Sequence, residues 1–189
     1  MMSSDKRTEI LKATLKLISE HGFHGTPMSK IAEDADVGAG TIYRYFENKE
    51  ALIKELFLEL KREISVAMLA GFSPEANTAE IFRLVWFNTF NYCVNNPQEM
   101  IFLEQYHNSP FQTPEIEAVT MEYMAPILST LQAAIEAGEI KNLPFEMITA
   151  FVYDITVAFA KRHISGTLVM DAANLDSAVR ACWDAIKTD

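Results

Sequence analysis

Cysteine, glycine and proline are scarce in this sequence, and each shortage excludes a class of protein. Two cysteines, Cys93 and Cys182, are too few for a disulfide framework, so both thiols are expected to be reduced and neither catalytic nor metal-binding. Seven glycines and seven prolines, with 49% hydrophobic residues, are typical of a folded chain and not of a disordered one. The sequence therefore predicts a globular protein with a sizeable core.

Long apolar runs are also lacking. No segment approaches the roughly 18 consecutive apolar residues that a membrane span requires, and the opening MMSSDKRTE is polar where a signal peptide would be apolar. We expect a cytoplasmic location and no membrane partner. The four histidines lack metal-ligand spacing, and no acid, base and nucleophile cluster is visible. The sequence therefore predicts no enzyme activity, no metal and no cofactor.

An excess of positive charge is missing as well, since the formal net charge is −10. The acidic residues are concentrated after residue 62. Residues 1–62 hold ten basic and ten acidic side chains, and the remainder of the chain holds six basic and sixteen acidic ones. A neutral N-terminal module can still collect its basic side chains on one face. Nucleic-acid binding by that module therefore stays open, whereas a broad basic surface is excluded.

What the sequence does have is helical periodicity throughout, and no run alternates with the period of two that marks a strand. The chain is therefore predicted to be all-α. Thr26 is expected to cap the second helix, Asn48 to cap the fourth and Pro126 to kink the seventh. The predicted helices span residues 4–20, 26–35, 41–46, 49–69, 78–95, 98–107, 114–137, 144–165 and 176–187.

The segment TPMSKIAEDADVGAGTIYRYFENKEAL, residues 26–52, carries the most specific signal. Two short helices flank a turn that contains Gly38 and Gly40, and Ile42 and Phe46 are spaced to face inward from the second helix. This segment resembles the DNA-binding domain of tetracycline-repressor (TetR) family regulators. The resemblance extends over about residues 5–52, and the shared residues are Gly22-Phe23, Thr26, Ile31-Ala32, Val37, Gly40-Thr41, Ile42-Tyr43, Phe46 and Lys49.

The resemblance implies a helix-turn-helix domain over residues 1–48 and a helical ligand-binding and dimerisation domain over residues 49–189, with helix 49–69 linking the two. It also implies double-stranded operator DNA as a partner. Base edges are expected to meet Ala39, Gly40, Thr41 and Arg44, with Ser29 beside them. Phosphates are expected to meet Thr26, Tyr43, Tyr45 and Lys49, which would set the register while Arg44 reads guanine.

The sequence also departs from the family's pattern at the start of the recognition helix. Gly38-Ala39 stand where Ser followed by Lys or Arg is common, so a helix cap and a basic contact are lost. Tyr45 stands where His is frequent, and its hydroxyl could serve the same phosphate. We therefore expect altered sequence preference but retained DNA binding.

The C-terminal domain is expected to bind a small, mostly apolar effector, aromatic or cationic in character. Its aromatic side chains offer broad apolar faces with a few polar groups, and its two carboxylates among apolar neighbours, Glu104 and Asp154, could answer a cation. Filling of the core is the alternative role for each aromatic side chain. The candidate ligand residues are Trp86, Phe90, Phe102, Glu104, Tyr106, Tyr123, Met124 and Phe151.

The last two helices are predicted to join two copies of the chain. Residues 144–165 include ITAFVYDITVAFA, which is apolar all round the helix, and the final helix has an apolar stripe from Leu175 to Ile186. A monomer would expose a larger apolar patch than soluble monomers usually carry, so a homodimer is expected. The predicted interface residues are Ile155, Phe159, Val179 and Trp183.

These features together predict a homodimeric repressor that a small molecule releases from its operator. An activator or a ligand-independent regulator of the same family fits the sequence equally well. A small-molecule carrier that has the same fold but no longer reads DNA is the alternative from another class, and a helical enzyme is a more distant one.

Overall fold

The protein is mainly helical. A computed structural model describes residues 6–188. The all-α prediction is confirmed, since within those residues the only β-type pairing is an isolated bridge between Ile140 and Lys187. The start predicted for the first helix, Ser4, lies outside the described residues. The helices are α1 (Lys6–His21), α2 (Met28–Asp34), α3 (Ala39–Tyr45), α4 (Lys49–Met68), α5 (Thr78–Asn95), α6 (Pro97–His107), α7 (Pro114–Tyr123), α8 (Ala125–Glu136), α9 (Phe145–Thr149), α10 (Ile155–Ile164) and α11 (Ala172–Ile186), with a π-helical segment at Ala150–Asp154.

The described chain forms two compact units. Unit 1 holds residues 6–61 and 98–118, so α6 belongs with α1, α2, α3 and most of α4. Unit 2 holds residues 62–97 and 119–188. The domain boundary that the sequence suggested, after residue 48, stays a prediction.

The apolar face predicted for α1 is buried in unit 1. Ile10, Leu11, Thr14, Leu17 and Ile18 are all at most 5% exposed. Gly22 ends the helix with a φ of +70°, a left-handed conformation that favours glycine, and its N–H bonds the carbonyl of Ile18 at 2.8 Å. The helical spacing of apolar residues thus located both the buried face and the end of α1.

Several helix ends differ from the prediction. Pro27, not Thr26, precedes the first residue of α2, and the Thr26 hydroxyl donates instead to the carbonyl of Gly22 at 2.9 Å. The last helix begins at Ala172, four residues before the predicted start, because the side chain of Asp171 accepts a hydrogen bond from the N–H of Asn174. The predicted long helices 114–137 and 144–165 are each interrupted, at Met124 and by the π segment.

In unit 2, α5 is the central helix. It packs against α8, α10, α11 and the π segment, and its N-terminus is fixed by a capping box in which Asn77 and Glu80 bond each other's backbone N–H. Its buried side chains include Ile81, Val85 and Trp86. Since the neighbouring helices surround one aromatic helix, the core of unit 2 is built around α5.

The turn between α2 and α3 contains the strained residue Asp36, which has a φ of +50°. Side chains other than glycine lose stability in this left-handed region, although Asp tolerates it better than most. We expect Asp36→Gly to raise the free energy of unfolding of the chain by about 0.5–1 kcal/mol, measured by thermal or urea denaturation. Asp36→Asn is the matched control, because it removes the charge and keeps the strain. Equal stabilisation by both variants would show that the carboxylate, not the backbone, causes the effect.

Candidate DNA interface and ligand site

Helix α3 has one buried face and one exposed face. Ile42 and Phe46, which the sequence predicted to face inward, are 0% and 2% exposed. Between them Tyr43 is 56% exposed and Tyr45 is 41% exposed, and Arg44 is exposed as well. The buried pair fixes the helix on unit 1, so the three intervening side chains point to solvent and are free to meet a ligand as large as DNA.

The other predicted DNA contacts mostly lie at the surface. Ser29, Ala39 and Gly40 are exposed, and Thr41 is half-buried. Gly38 precedes α3 without a side-chain cap, as its sequence implied. Thr26 is an exception that requires correction: it is fully buried and its hydroxyl is used within the chain. Its side chain therefore offers no surface to a phosphate, and its role is to hold the α1–α2 connection.

Lys49 has a structural contact in addition to its predicted role at a phosphate. Its ammonium group donates to the carbonyl of Phe23, which ties the start of α4 to the α1–α2 connection. Partial burial lowers the pKa of Lys49. Asn48 caps α4 as predicted, accepting from the N–H of Ala51 at 2.8 Å. A Lys49 substitution would consequently disturb the fold of unit 1 as well as a phosphate contact.

Arg7 is a residue that the sequence analysis missed. Its guanidinium forms ion pairs with Glu55 and Glu59 of α4, and it lies 5.9 Å from the ring centroid of Phe46. The i,i+4 spacing of the two glutamates was a signal for a shared cation on a neighbouring helix. Arg7 thus joins α1 to α4 beside the last turn of α3 and helps to orient the exposed face of α3.

Phe102 and Tyr106, two predicted ligand residues, are fully buried in an aromatic cluster of unit 1. Tyr106 stacks on Phe57 with ring centroids 3.7 Å apart, and Phe23 meets Phe102 and Phe111 edge to face. The Tyr106 hydroxyl donates to the carbonyl of Phe111 at 3.0 Å, and burial raises its pKa to about 12. Both residues therefore contribute to the core of unit 1, and their ligand role stays a prediction.

Glu104 was predicted from its apolar sequence neighbours to be a buried carboxylate, and this is wrong. It is exposed, as is Asp154, because both project from the outer side of their helices. Neither carboxylate lacks solvent, so neither needs a cationic ligand as a partner. The expectation of a cationic effector loses its structural basis.

Five predicted ligand residues lie in unit 2. Trp86 and Phe90 are buried on α5 and stack with ring centroids 5.9 Å apart, and Phe159 of α10 lies 6.3 Å from Trp86. The remaining three, Tyr123, Met124 and Phe151, are half-buried at the α7–α8 junction and in the π segment. The aromatic side chains on α5 and α10 thus form one continuous apolar cluster inside unit 2.

Of the predicted dimer residues, Val179 requires correction. It is only 2% exposed within the single chain, since it faces the core of unit 2. Ile155, Phe159 and Trp183 are half-buried. Two apolar side chains near the C-terminal end of α10 are exposed. Ile164, the last residue of the helix, is 44% exposed, and Val169, five residues later, is 63% exposed.

The described residues also bear on metal binding and on membrane insertion. Within residues 6–188 no His, Cys, Asp and Glu side chains form a group of three or more that could hold a metal ion. No described helix combines the length and the apolar character needed to cross a membrane.

Family models match both parts of the chain. Residues 10–56 match the model of bacterial regulatory proteins of the tetR family, and residues 78–187 match that of the tetracyclin repressor-like C-terminal domain. The chain belongs to the TetR family. As a TetR-family member it is a helix-turn-helix, DNA-binding transcriptional regulator, and the carrier alternative loses its support.

Individual relatives agree with the assignment to the TetR family. An uncharacterized HTH-type transcriptional regulator, YhgD of Bacillus subtilis, is 30% identical over 155 residues, which is 80% of each chain. The fatty acid metabolism regulator protein of the same organism is 28% identical over 165 residues, 86% of this chain and 79% of that one. A TetR family transcription regulator from Marinobacter aquaeolei VT8 has the same fold, with a TM-score of 0.93 and 28% identity over 97% of this chain and 96% of that one. All three relatives carry the names of regulators.

Proposed function

We propose that this TetR-family regulator is a homodimeric repressor that a small, mostly apolar effector releases from its operator. The observation that carries the DNA half of the proposal is the two-sided α3, whose buried Ile42 and Phe46 support the exposed Tyr43, Arg44 and Tyr45. A short helix that is anchored on one side and polar on the other suits the major groove. Because such a repressor acts on the chromosome, the proposal places it in the cytoplasm.

Base and phosphate contacts are divided among the exposed residues of this face. Arg44 presents a planar fork that can bond both acceptor atoms on the major-groove edge of guanine. The Tyr43 and Tyr45 hydroxyls suit phosphate oxygens, which set the register without reading sequence. The first 62 residues hold ten basic and ten acidic side chains. The helix-turn-helix domain therefore binds DNA through these specific contacts more than through overall electrostatic attraction to the phosphates.

The effector is proposed to bind in unit 2, against the aromatic cluster of Trp86, Phe90 and Phe159. These rings favour an apolar molecule, and the exposure of Glu104 and Asp154 removes the reason to expect a cation. The Bacillus relative named as a fatty acid metabolism regulator makes acyl compounds a sensible first class to screen. Release from DNA requires that the effector bind the free and DNA-bound conformations with different affinity.

The test of this proposal combines a thermal-shift screen with operator release. Acyl compounds, aromatic acids and apolar amines are screened for stabilisation of the full chain, and each hit is added to a protein–DNA complex in a gel-shift assay. The proposal expects at least one hit to lower the affinity for operator DNA. Hits that stabilise the protein and leave its DNA affinity unchanged would contradict an effector-released repressor.

The dimer is proposed to form along α10 and α11, with Ile155, Phe159 and Trp183 at the interface. Light scattering of the wild type at micromolar concentration should give twice the chain mass of 21.3 kDa. Ile164→Asp replaces the exposed apolar side chain at the end of α10 with a charge and should shift the protein towards the monomer at the same concentration. Val66→Asp is the control, since Val66 is an exposed apolar residue on α4. A monomeric wild type, or equal effects of the two substitutions, would rule out this interface.

A further inference from the structure

The indole N–H of Trp86 is buried without a hydrogen-bond partner. The side chain is 0% exposed, and Nε1 has no acceptor within bonding geometry in the described part of the chain. Buried tryptophans usually satisfy this group, because an unmade hydrogen bond in the interior is costly. This buried donor without a partner in the core of unit 2 therefore indicates that a bound molecule supplies the acceptor.

The protein itself offers only a weak acceptor at this position. Burial raises the pKa of the Cys182 thiol, and its interaction with Trp86 offsets part of that rise, although the pair does not reach hydrogen-bond geometry. A protonated thiol sulfur accepts hydrogen bonds poorly. The buried hydroxyls of Thr89 and Thr156 donate to carbonyls of their own helices, at Val85 and Val152. None of these groups satisfies the indole.

The rings around the indole are apolar, and two basic side chains lie next to those rings: Arg83 over Phe87 and His163 beside Phe90. Phe90 stacks parallel to the Trp86 ring, Phe87 meets it edge to face at 5.6 Å, and Phe159 covers it from α10. Among residues 62–97 and 119–188, no Lys, Arg or His side chain is buried. Arg83 is exposed and paired with Asp176, and Nδ1 of half-buried His163 accepts from the N–H of Met170. A carboxylate placed beside the indole would therefore have no buried cation to neutralise it, and a buried unpaired charge is unfavourable. A neutral acceptor avoids that cost.

We infer that the effector carries a neutral hydrogen-bond acceptor, such as a ketone, ester or thioester carbonyl, which accepts from Trp86 Nε1. Its apolar body lies against Phe90 and Phe159. The inference rests on the proposed function and makes it more specific, because it names the polar group of the effector and the atom that recognises it. The inference also predicts that acyl esters and thioesters bind more tightly than the corresponding free acids.

The test uses two probes of equal shape. Methyl nonyl ketone has the carbonyl, and its methylene isostere has a CH2 group in place of the carbonyl oxygen. The wild type is expected to bind the ketone about fivefold to tenfold more tightly, the usual size of one net hydrogen bond. In heteronuclear NMR spectra, which contain one indole N–H signal for each of the two tryptophans, the ketone should move the Trp86 signal downfield and the isostere should not.

Two variants keep the test independent of folding. Trp86→Phe retains a ring and removes the N–H, so it should bind both probes with the affinity of the isostere and assigns the Trp86 signal by its loss. Cys182→Ser places a stronger acceptor at the indole and should also abolish the preference for the ketone.

Equal binding of the two probes by the wild type, or a preference that persists in Trp86→Phe, would overturn the inference. Failure of both probes to bind would overturn it too. In each of these cases, release of the operator by a different compound would leave the proposed repressor intact, so the two failures can be told apart.

Discussion

Tyr106→Ala is expected to lower the free energy of unfolding by about 3–5 kcal/mol, the usual cost of removing a large buried aromatic side chain. Tyr106 is 0% exposed, stacks on Phe57 and contacts Phe102 and Phe111, so its loss would leave a cavity where α6 meets the rest of unit 1. Tyr106→Phe is the matched control. It removes only the hydrogen bond to the carbonyl of Phe111 and should cost about 1 kcal/mol.

The measurement is denaturant unfolding followed by two signals. Far-ultraviolet circular dichroism reports the helices of both units, and tryptophan fluorescence reports unit 2, because Trp86 and Trp183 both lie there. The large loss for Tyr106→Ala should appear in the circular dichroism. If Tyr106→Ala leaves the stability unchanged and instead abolishes the response to an effector, Tyr106 is a ligand residue and not part of the core.

Arg44→Ala should weaken binding to the operator by roughly tenfold to a hundredfold, because a bidentate contact to guanine is worth about 1–3 kcal/mol. Because Arg44 is exposed and the buried Ile42 and Phe46 anchor α3, the substitution should hardly change the free energy of unfolding. The effect should be confined to one base pair, so substitution of that pair should no longer matter to the variant. Binding is measured by fluorescence anisotropy against a set of single-base operator variants.

Arg180→Ala is the control for charge. It removes one positive charge from the exposed surface of α11, where Arg180 pairs with Asp176. It should leave DNA affinity nearly unchanged. An identical ranking of operator variants for the wild type and Arg44→Ala would show that Arg44 does not read a base.

Local features of the fold could be predicted from the sequence because each depends on neighbours along the chain. The predicted span of residues 78–95 is that of α5, the cap at Asn48 is present, and the apolar stripe of α1 is buried. Helical periodicity fixes which side of a helix is apolar, and capping residues fix where it begins. These signals need no knowledge of what lies across the core.

Features that depend on distant residues were predicted less well. Glu104 has apolar neighbours in sequence, but a helix turns by about 100° per residue, so Leu103 and Tyr106 are buried while Glu104 faces outward. Val179 lies on an apolar stripe as predicted, but periodicity cannot tell whether the stripe packs within the chain or against a second copy. The structure places Val179 in the core of unit 2.

The aromatic residues illustrate the same limit. Their composition indicated a ligand site, yet Phe102 and Tyr106 pack with Phe23 and Phe57 in unit 1, whereas Trp86 and Phe90 pack in unit 2. The unpaired N–H of Trp86 had no signal in the sequence. Hydrogen-bond satisfaction is a property of the packed interior, and only the side chains brought together from α5 and α11 reveal it.

The central claim is that this TetR-family regulator reads a specific DNA sequence through the exposed face of α3. The most direct test is its affinity for the DNA that flanks its own gene, measured by fluorescence anisotropy in an excess of unrelated duplex. The account predicts that the wild type prefers the flanking DNA and that Arg44→Ala loses this preference while Arg180→Ala keeps it. A wild type that binds the flanking and the unrelated duplex equally, or a preference that survives Arg44→Ala, would contradict the account.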